Sequence, residues 1–425
     1  MTITLFFVLT LILVLLGCPI VPAFLTGSFV YFFMNDLSIF HAMKIMFNGT
    51  LSFTLLAVPF FILAAQIMNH GKITFRMFDF ANKLVGHFPG GLSHVNILTS
   101  IIFSGMSGSA MADTSGVGAM SARAMMEKGF SRPFSAAVTI SSAIIGPIIP
   151  PSIPIVIYAW VADVSVASLF LAAIVPGLIM GLSLFIYCWA IAIKRNYPRE
   201  DRAGFSEIFF ALRKSFLALI TPVILIGGIY SGIFTPTESA AVASLYAIVL
   251  TLVYERSLSP SRLFRIGIEV TKLSANILII AATVSLFSWI VAVEEIPQLF
   301  TQFINRMELT PPAFLLAVNV MLLVSGCILP TQVMLFVFIP IMMPAVLSFG
   351  IDPVHFGIVA IVNLMIGLNT PPFGLQLFVA SGVLKVSVRD ILKESWPMLI
   401  CLMVVLLLIT YVEPLVMFLP RFLSY

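Results

Sequence analysis

Long apolar runs follow one another along almost the whole chain, and short stretches rich in Gly, Pro and charged residues separate them. A helix needs roughly 20 apolar residues to cross the hydrocarbon core of a bilayer. Runs of this length therefore predict membrane-spanning helices. The ten predicted spans lie at 2–17, 18–35, 51–70, 134–160, 167–193, 215–233, 237–254, 273–293, 356–384 and 396–418.

Two further apolar stretches, 94–125 and 312–345, are each broken near the middle by a Ser-Gly pair. The first arm of the first stretch, 94–104, rises about 16 Å at 1.5 Å per residue, which is roughly half of a 30 Å hydrocarbon core. Each stretch is therefore predicted to be a re-entrant helical hairpin. The pairs that mark the two tips are Ser104-Gly105 and Ser325-Gly326.

The chain resembles itself at one offset. Segment 145–151, IGPIIPP, matches segment 366–372, IGLNTPP, at an offset of 221 positions, and the same offset separates the two Ser-Gly pairs. A repeated match in one register indicates an internal duplication. The predicted units are a first repeat 1–200 with hairpin 94–125 and broken span 134–160, a basic cytoplasmic linker 201–214, and a second repeat 215–425 with hairpin 312–345 and broken span 356–384.

Composition excludes a water-soluble globular protein. Only 9% of the residues are charged and 60% are hydrophobic, whereas a soluble domain carries roughly 25% charged residues. The net charge of +4 does not indicate nucleic-acid binding, because in a membrane chain the position of the basic residues is informative and their sum is not.

The basic residues also indicate the orientation, since Lys and Arg accumulate on cytoplasmic loops. With the N-terminus outside, 19 of the 22 Lys and Arg residues fall on the cytoplasmic side, and the exceptions are Lys44, Arg306 and Arg421. Both termini are therefore predicted to face outward, away from the cytoplasm. In this topology the two hairpins enter from opposite sides, so the repeats are inverted, as in many secondary transporters.

The prolines of the two broken spans occupy equivalent repeat positions. Because a proline removes the donor to the carbonyl four residues earlier, Pro150 frees the carbonyl of Gly146 and Pro371 frees that of Gly367. A broken helix at membrane depth must be buried or line a cavity. Together with the hydroxyls of the hairpin tips, these carbonyls predict a cluster of oxygen ligands in each half, which suits Na⁺. The restarting helices direct their N-termini to the same region and favour an anionic solute.

Asp113 is the only acidic residue within either hairpin. An intramembrane carboxylate is a functional hypothesis by default, so Asp113 is assigned either a structural role, as an N-cap or partner of a backbone donor, or a coupling role. Glu238, in Thr235-Pro236-Thr237-Glu238, opens a span and is either a helix cap or a ligand.

Two other functional classes compete with a transporter. The first is an intramembrane serine protease, because Gly105-Met106-Ser107-Gly108 matches the GxSG motif of such enzymes. A catalytic serine needs a base within hydrogen-bond reach. No predicted membrane interior contains a histidine that could serve as this base. The second is a channel or pore-forming subunit, against which the inverted duplication with paired ion-like sites argues. The protein is predicted not to be an enzyme.

Four ordered motifs resemble the large transmembrane subunit of tripartite ATP-independent periplasmic (TRAP) transporters, and the likeness covers essentially the whole chain. The motifs are SGMSGSAMAD (104–113), GPIIPPS (146–152), TPTESAAVASLYA (235–247) and GLNTPPFG (367–374). The resemblance implies an all-α, elevator-type transporter of the bacterial inner membrane, which imports an organic acid such as sialic acid or a C4-dicarboxylate by Na⁺ symport. No other cofactor is expected.

The resemblance also implies partners and site residues. The partners are a periplasmic substrate-binding protein and a small four-span membrane subunit, which is expected to be a separate polypeptide because this chain carries no such extension. Carried onto this sequence, the family's Na⁺ sites fall on Ser104, Ser107, Gly146, Ile149 and Pro151 in the first half, and on Gly326, Cys327, Gly367 and Thr370 in the second. The substrate would lie near Ser109, Ser152 and Asn369.

Overall fold

The computed structural model describes residues 2–70 and 73–423, without the side chains of Leu15, His70, Met106 and Ser107. The predicted Na⁺ ligand Ser107, as a side chain, and the basic residue Lys72 therefore lie outside the described part of the chain. Throughout residues 2–70 and 73–423 the chain forms helices and their connections, and no strand occurs in these two ranges. The predicted all-α fold class is confirmed.

The first part of the chain contains eleven described helices. They are α1 (Thr2–Leu15), α2 (Ile20–Met34), α3 (Ile39–Thr50), α4 (Ala57–His70), α5 (Ile73–Val85), α6 (Gly91–Ser107), α7 (Ala110–Ser115), α8 (Val117–Glu127), α9 (Arg132–Ala143), α10 (Ile153–Ala162) and α11 (Val166–Arg195).

Ten further α-helices are described after the long α11. They are α12 (Phe205–Tyr230), α13 (Pro236–Val249), which continues into a π-helical turn (Leu250–Tyr254), α14 (Pro260–Val293), α15 (Ile296–Arg306), α16 (Pro311–Gly326), α17 (Thr331–Ser348), α18 (Pro353–Gly367), α19 (Leu375–Leu384), α20 (Val388–Tyr411) and α21 (Pro414–Phe422).

Six of the described helices are long and apolar enough to cross a bilayer: α11, α12, α13 with its π-helical turn, α14, α17 and α20. Other apolar helices, such as α1, α2, α4, α10, α18 and α19, have 10–17 residues. The structure therefore supports a protein with many apolar helices, and the number of ten crossings stays a prediction.

Three elements differ from the sequence prediction. Helix α3 is absent from the sequence prediction, because its 12 residues are too few to span a membrane. Helix α12 begins at Phe205 and takes in most of the segment 201–214; the Glu207 carboxylate caps its first turn by accepting from the Gly204 N–H at 3.2 Å. Helix α14 begins at Pro260, 13 residues before the predicted span, because Ser259 caps it and accepts from the Arg262 N–H at 3.3 Å.

Side-chain caps also start the helices that surround the two breaks. A capping residue satisfies a backbone donor that has no partner within the helix. Ser131 and Ser152 cap α9 and α10, and Asp352 caps α18. At α13 the Thr235 hydroxyl accepts from the Glu238 N–H, and the Glu238 carboxylate accepts from the Thr235 N–H at 2.8 Å. Of the two roles considered for Glu238, the structure shows the cap.

Four helices end at the predicted hairpin tips and helix breaks. Helix α6 ends at Ser107 and α16 at Gly326, while α9 ends at Ala143 and α18 at Gly367. Nonhelical segments of two to nine residues follow each of them. The peptide bonds Pro150-Pro151 and Pro371-Pro372 are both cis.

Candidate functional site

The tip of the first hairpin packs directly onto the first helix break. A methyl group added at Gly108 would lie 2.8 Å from the carbonyl oxygen of Pro151, and Gly108 has a φ of +56°. Such a φ suits glycine, which lacks a Cβ. A methyl group at Gly146 would lie 4.0 Å from the Cβ of Ser104. The structure therefore brings the 104–108 tip together with the 146–152 segment.

In the second half the two backbones approach even more closely. A Cβ at Gly367 would lie 2.9 Å from the carbonyl carbon of Gly326 and 3.2 Å from its Cα and its oxygen. Both residues are buried, and each is the last residue of its helix. The end of α16 and the end of α18 therefore touch through main chain, and only glycine at 367 allows this contact.

The first break offers carbonyl oxygens without hydrogen bonds. Among the described residues, no donor bonds to the carbonyls of Gly146, Ile149 or Pro151. The Ser104 hydroxyl donates to the Ile101 carbonyl at 2.5 Å, which leaves the lone pairs of its oxygen available. Four of the five predicted first-half ligands are thus described, and they present oxygen atoms of the kind a hard cation prefers.

The second break differs from the prediction in one respect. The Gly367 carbonyl, expected to be free, accepts from the Thr370 N–H at 3.0 Å, because the chain closes a tight turn as soon as α18 ends. The oxygen retains a second lone pair. The Thr370 hydroxyl donates to the Ile366 carbonyl at 2.8 Å, and the Cys327 thiol donates to the Leu323 carbonyl at 2.9 Å.

A small cavity of about 100 Å³ lies between the two halves. Its wall includes Ser109 at the start of α7, Pro147 of the first break, Pro154 of α10, and Thr331, Gln332 and Leu368 of the second half. Small-molecule sites usually have about 300–1,000 Å³. In this conformation the cavity is therefore smaller than most ligand sites. Residues of both hairpins and of both helix breaks line it.

The three predicted substrate residues are placed differently. Ser109 lines the cavity. Ser152 and Asn369 are fully buried: the Ser152 hydroxyl donates to the Pro147 carbonyl and caps α10, and the Asn369 side-chain N–H donates to the Ile140 carbonyl at 2.8 Å. Both side chains support the walls of the cavity in this conformation.

Polar side chains that the sequence analysis missed connect the helices of the hairpins and the broken spans. The Gln376 amide donates to the Thr114 hydroxyl at 3.3 Å, which joins α19 to α7. The Asn96 amide donates to the Thr139 hydroxyl at 2.8 Å and joins α6 to α9, and the Asn363 amide donates to the Asn319 side chain at 2.9 Å and joins α18 to α16. The sequence feature that could have identified these residues is an isolated amide side chain within an apolar run.

Asp113 is 1% exposed and lies in the first turn of α7. No described backbone N–H donates to its carboxylate, and Ser100 of α6 is the polar side chain beside it. Ser109, and not Asp113, is the N-cap of α7, so the N-cap role is wrong. A structural role of another kind and the coupling role stay predictions. Elsewhere in ranges 2–70 and 73–423, no three His, Cys, Asp or Glu side chains come together as metal ligands would.

Comparisons with known proteins agree with this architecture. A family described as "Tripartite ATP-independent periplasmic transporter, DctM component" matches residues 4–415. The chain is 42% identical to the sialic acid TRAP transporter large permease protein SiaM of Vibrio cholerae, covering 92% of each chain. It is 37% identical to the C4-dicarboxylate TRAP transporter large permease protein DctM of Pseudomonas aeruginosa, covering 89% of each.

Among solved structures, the YdaH transporter of Alcanivorax borkumensis has a similar fold. The TM-score is 0.67 at 12% sequence identity, and the match covers 88% of this chain and 87% of that one. At this identity the likeness concerns the fold alone.

Proposed function

Because the chain belongs to the DctM component family of tripartite ATP-independent periplasmic transporters, we propose that it imports an organic acid across the bacterial inner membrane by symport with Na⁺. The family consists of transporter permeases, so the chain is a membrane transport protein and not an enzyme. The observation that carries the proposal is the meeting of two hairpin tips and two helix breaks around one cavity.

The proposed architecture is an elevator with two inverted repeats, about ten spans and periplasmic termini. Its support is the offset of 221 positions, at which Gly146 and Gly367 stand at corresponding places beside a hairpin tip. Secondary transporters built from inverted repeats hold substrate and ions where discontinuous helices of the two halves meet. In this scheme the hairpins and broken helices form the moving part.

The two proposed Na⁺ sites lie where each hairpin tip touches its break. In the first half the oxygen donors are the Ser104 hydroxyl and the carbonyls of the 146–151 segment, with Ser107 added by family resemblance. In the second half the donors are the main chain of Gly326, Cys327 and Gly367 and the hydroxyl of Thr370. The support is that the carbonyls of Gly146, Ile149 and Pro151 accept no hydrogen bond from a described residue.

The proposed solute is a carboxylate. Relatives whose names specify sialic acid and C4-dicarboxylate are similar over most of their length. Helices α7 and α10 both begin next to the cavity, and the longer α10 directs the positive end of its dipole there. The carboxylate would lie near Ser109, with Ser152 and Asn369 forming the supporting wall.

The proposed partners are the other two components that the word tripartite implies: a periplasmic binding protein that delivers the acid, and a small membrane subunit. The described chain has many exposed apolar residues on α1, α3, α12 and α14, which are surfaces for lipid and for a membrane partner. The protein is proposed to be integral to the lipid bilayer.

Uptake in proteoliposomes tests the function. The chain is reconstituted with its small subunit, and labelled sialic acid or succinate is added outside with the loaded binding protein under an inward Na⁺ gradient. We expect saturable uptake that stops when Na⁺ is replaced by K⁺. Conductance without saturation or Na⁺ dependence would instead indicate a channel.

Removal of a hydroxyl ligand should weaken Na⁺ coupling. Interactions with charged groups are worth about 1.5–3 kcal/mol, so Thr370→Ala is expected to raise the Na⁺ concentration for half-maximal uptake about tenfold or more. Ser104→Ala should act in the same direction.

Thr283→Ala is the matched control for Thr370→Ala. Thr283 is also buried and also donates to the carbonyl four residues earlier at 2.8 Å, but it belongs to α14. An unchanged Na⁺ dependence in both Thr370→Ala and Ser104→Ala, with normal membrane insertion, would contradict these ligand assignments.

A further inference from the structure

A second, larger cavity lies beside the first hairpin, away from the proposed substrate site. Its volume is about 570 Å³, within the range of about 300–1,000 Å³ usual for small-molecule sites. It lies between the last turn of α4, the first turn of α5, the return arm of the hairpin and the start of α14. The residues that carry the argument are Asn69, Thr74, Ser115, Arg123, Glu127 and Arg262.

Two arginines from different helices face this cavity. Arg123 belongs to α8 in the hairpin, and Arg262 belongs to the first turn of α14. In the described ranges, 2–70 and 73–423, neither guanidinium forms an ion pair or a hydrogen bond. A guanidinium presents its donors as a planar fork that fits a carboxylate with two parallel hydrogen bonds. The cavity therefore offers two unoccupied carboxylate-binding groups.

Among the described residues of the wall, the other charged group is Glu127. It lies four residues after Arg123 on the same helix, and the two form no ion pair. With two cations against one anion, these described residues carry a net positive charge. Thr74, which is 8% exposed, adds a buried hydroxyl without a hydrogen-bond partner among the described residues, and buried hydroxyls normally have one.

A single short helix separates this cavity from the proposed substrate site. Helix α7 begins beside Ser109, Ala110 and Met111, which line the central cavity, and it ends at Ser115, which with Gly116 lines the second cavity. Its six residues span about 9 Å. In the proposed topology this end of the hairpin faces the cytoplasm, so the second cavity lies on the side where an imported solute leaves.

We propose that this cavity is an exit site, in which Arg123 and Arg262 hold the carboxylate of the imported acid after it leaves the hairpin tips. This inference rests on the proposed function. Arg123 lies in the proposed moving part and Arg262 outside it, so the two guanidinium groups flank the path between moving and fixed helices. The site binds the acid from the cytoplasmic side only.

Trans-inhibition tests the site. Liposomes are loaded inside with unlabelled sialic acid or succinate, whichever acid the wild type imports, and uptake is driven by the loaded binding protein outside, which selects one orientation. For the variant Arg123→Gln/Arg262→Gln we expect the internal acid concentration that halves uptake to rise at least tenfold. The KM for the external, loaded binding protein should not change.

The control is Arg265→Gln, which removes a charge from the same helix as Arg262 but outside this cavity. It should leave both parameters at the wild-type values. An unchanged half-inhibitory concentration in the double variant, or an equal shift of both parameters, would overturn the exit site while leaving the transport function intact. Failure of the wild type to import either acid would overturn both proposals.

An anionic lipid headgroup could use the same arginines. The measurement is therefore repeated in liposomes of phosphatidylcholine alone and of phosphatidylcholine with phosphatidylglycerol. The tenfold shift is expected in both. A shift confined to liposomes with phosphatidylglycerol would assign the arginines to lipid and overturn the proposal.

Discussion

Gly367→Ala is expected to lower Na⁺-driven uptake more than tenfold while the protein still inserts and folds. The new methyl group would lie 2.9 Å from the carbonyl carbon of Gly326 and 3.2 Å from its oxygen. Both atoms belong to main chain at the end of a helix, so no side-chain rotation can relieve the contact. The ends of α16 and α18 must move apart by several tenths of an ångström, and a binding geometry tolerates only about 0.5 Å.

The matched control is Gly382→Ala. Gly382 lies within α19, and an added Cβ there has no atom within 4 Å. Because alanine favours a helix interior by about 1 kcal/mol relative to glycine, this change should leave uptake intact and raise the thermal stability slightly. Initial rates at saturating Na⁺ and thermal unfolding in detergent are measured for both variants. Normal uptake by Gly367→Ala would show that the glycine contact is not part of the transport site.

Local chemistry predicts where helices must stop. Proline removes a donor and a Ser-Gly pair weakens a helix, so the segments around Gly146, Gly367 and the two hairpin tips could be selected from sequence alone. The described helices indeed end at Ser107, Ala143, Gly326 and Gly367. The all-α class and the family could be predicted for the same reason: the length of apolar runs and short motifs are local properties of the chain.

Contacts across the fold could not be predicted in this way. The sequence places Asn369 beside a helix break, but its bond to the Ile140 carbonyl joins residues 229 positions apart. Nothing near either residue indicates that partner. The same is true of Gln376 and Thr114. A rotamer and its distant partner depend on how complete helices pack, so the side chains that line the cavity and those that support its wall can be separated only in the folded protein.

The cavity beside Arg123 illustrates the same limit. Its two arginines were counted among the cytoplasmic basic residues, where their expected role was to set the orientation of the chain. Only the folded structure shows that they line a common space with residues of α4 and α5. A basic residue that helps to orient the chain in the membrane can thus also line a cavity when helices from different parts of the chain come together.

The second prediction with a large effect concerns Arg76, which anchors the helix that leads into the first hairpin. Its guanidinium lies 2.5 Å from the Glu255 carboxylate, whose side chain is 1% exposed. The backbone carbonyl of Arg76 also accepts from the Ser215 hydroxyl at 3.1 Å. The Arg76 side chain is 33% exposed, so its removal costs less than the loss of a fully buried partner, about 3–5 kcal/mol, and more than that of an exposed one, about 0–1 kcal/mol, and is on the order of 2 kcal/mol. Arg76→Ala should therefore lower the free energy of unfolding by about this amount.

A double-mutant cycle separates this ion pair from the loss of packing. Arg76→Met combined with Glu255→Leu replaces both charges by apolar groups and should recover most of the lost stability, because apolar replacement of a buried pair is often neutral. The control on the same helix is Lys83→Ala, whose partner Glu207 lies 3.6 Å away in an exposed pair worth about 0–1 kcal/mol. If Arg76→Ala were no more destabilising than Lys83→Ala, the ion pair between Arg76 and Glu255 would not stabilise the fold. Because α5 directly precedes the first arm of the hairpin, we also expect uptake to fall in Arg76→Ala and to return in the double variant.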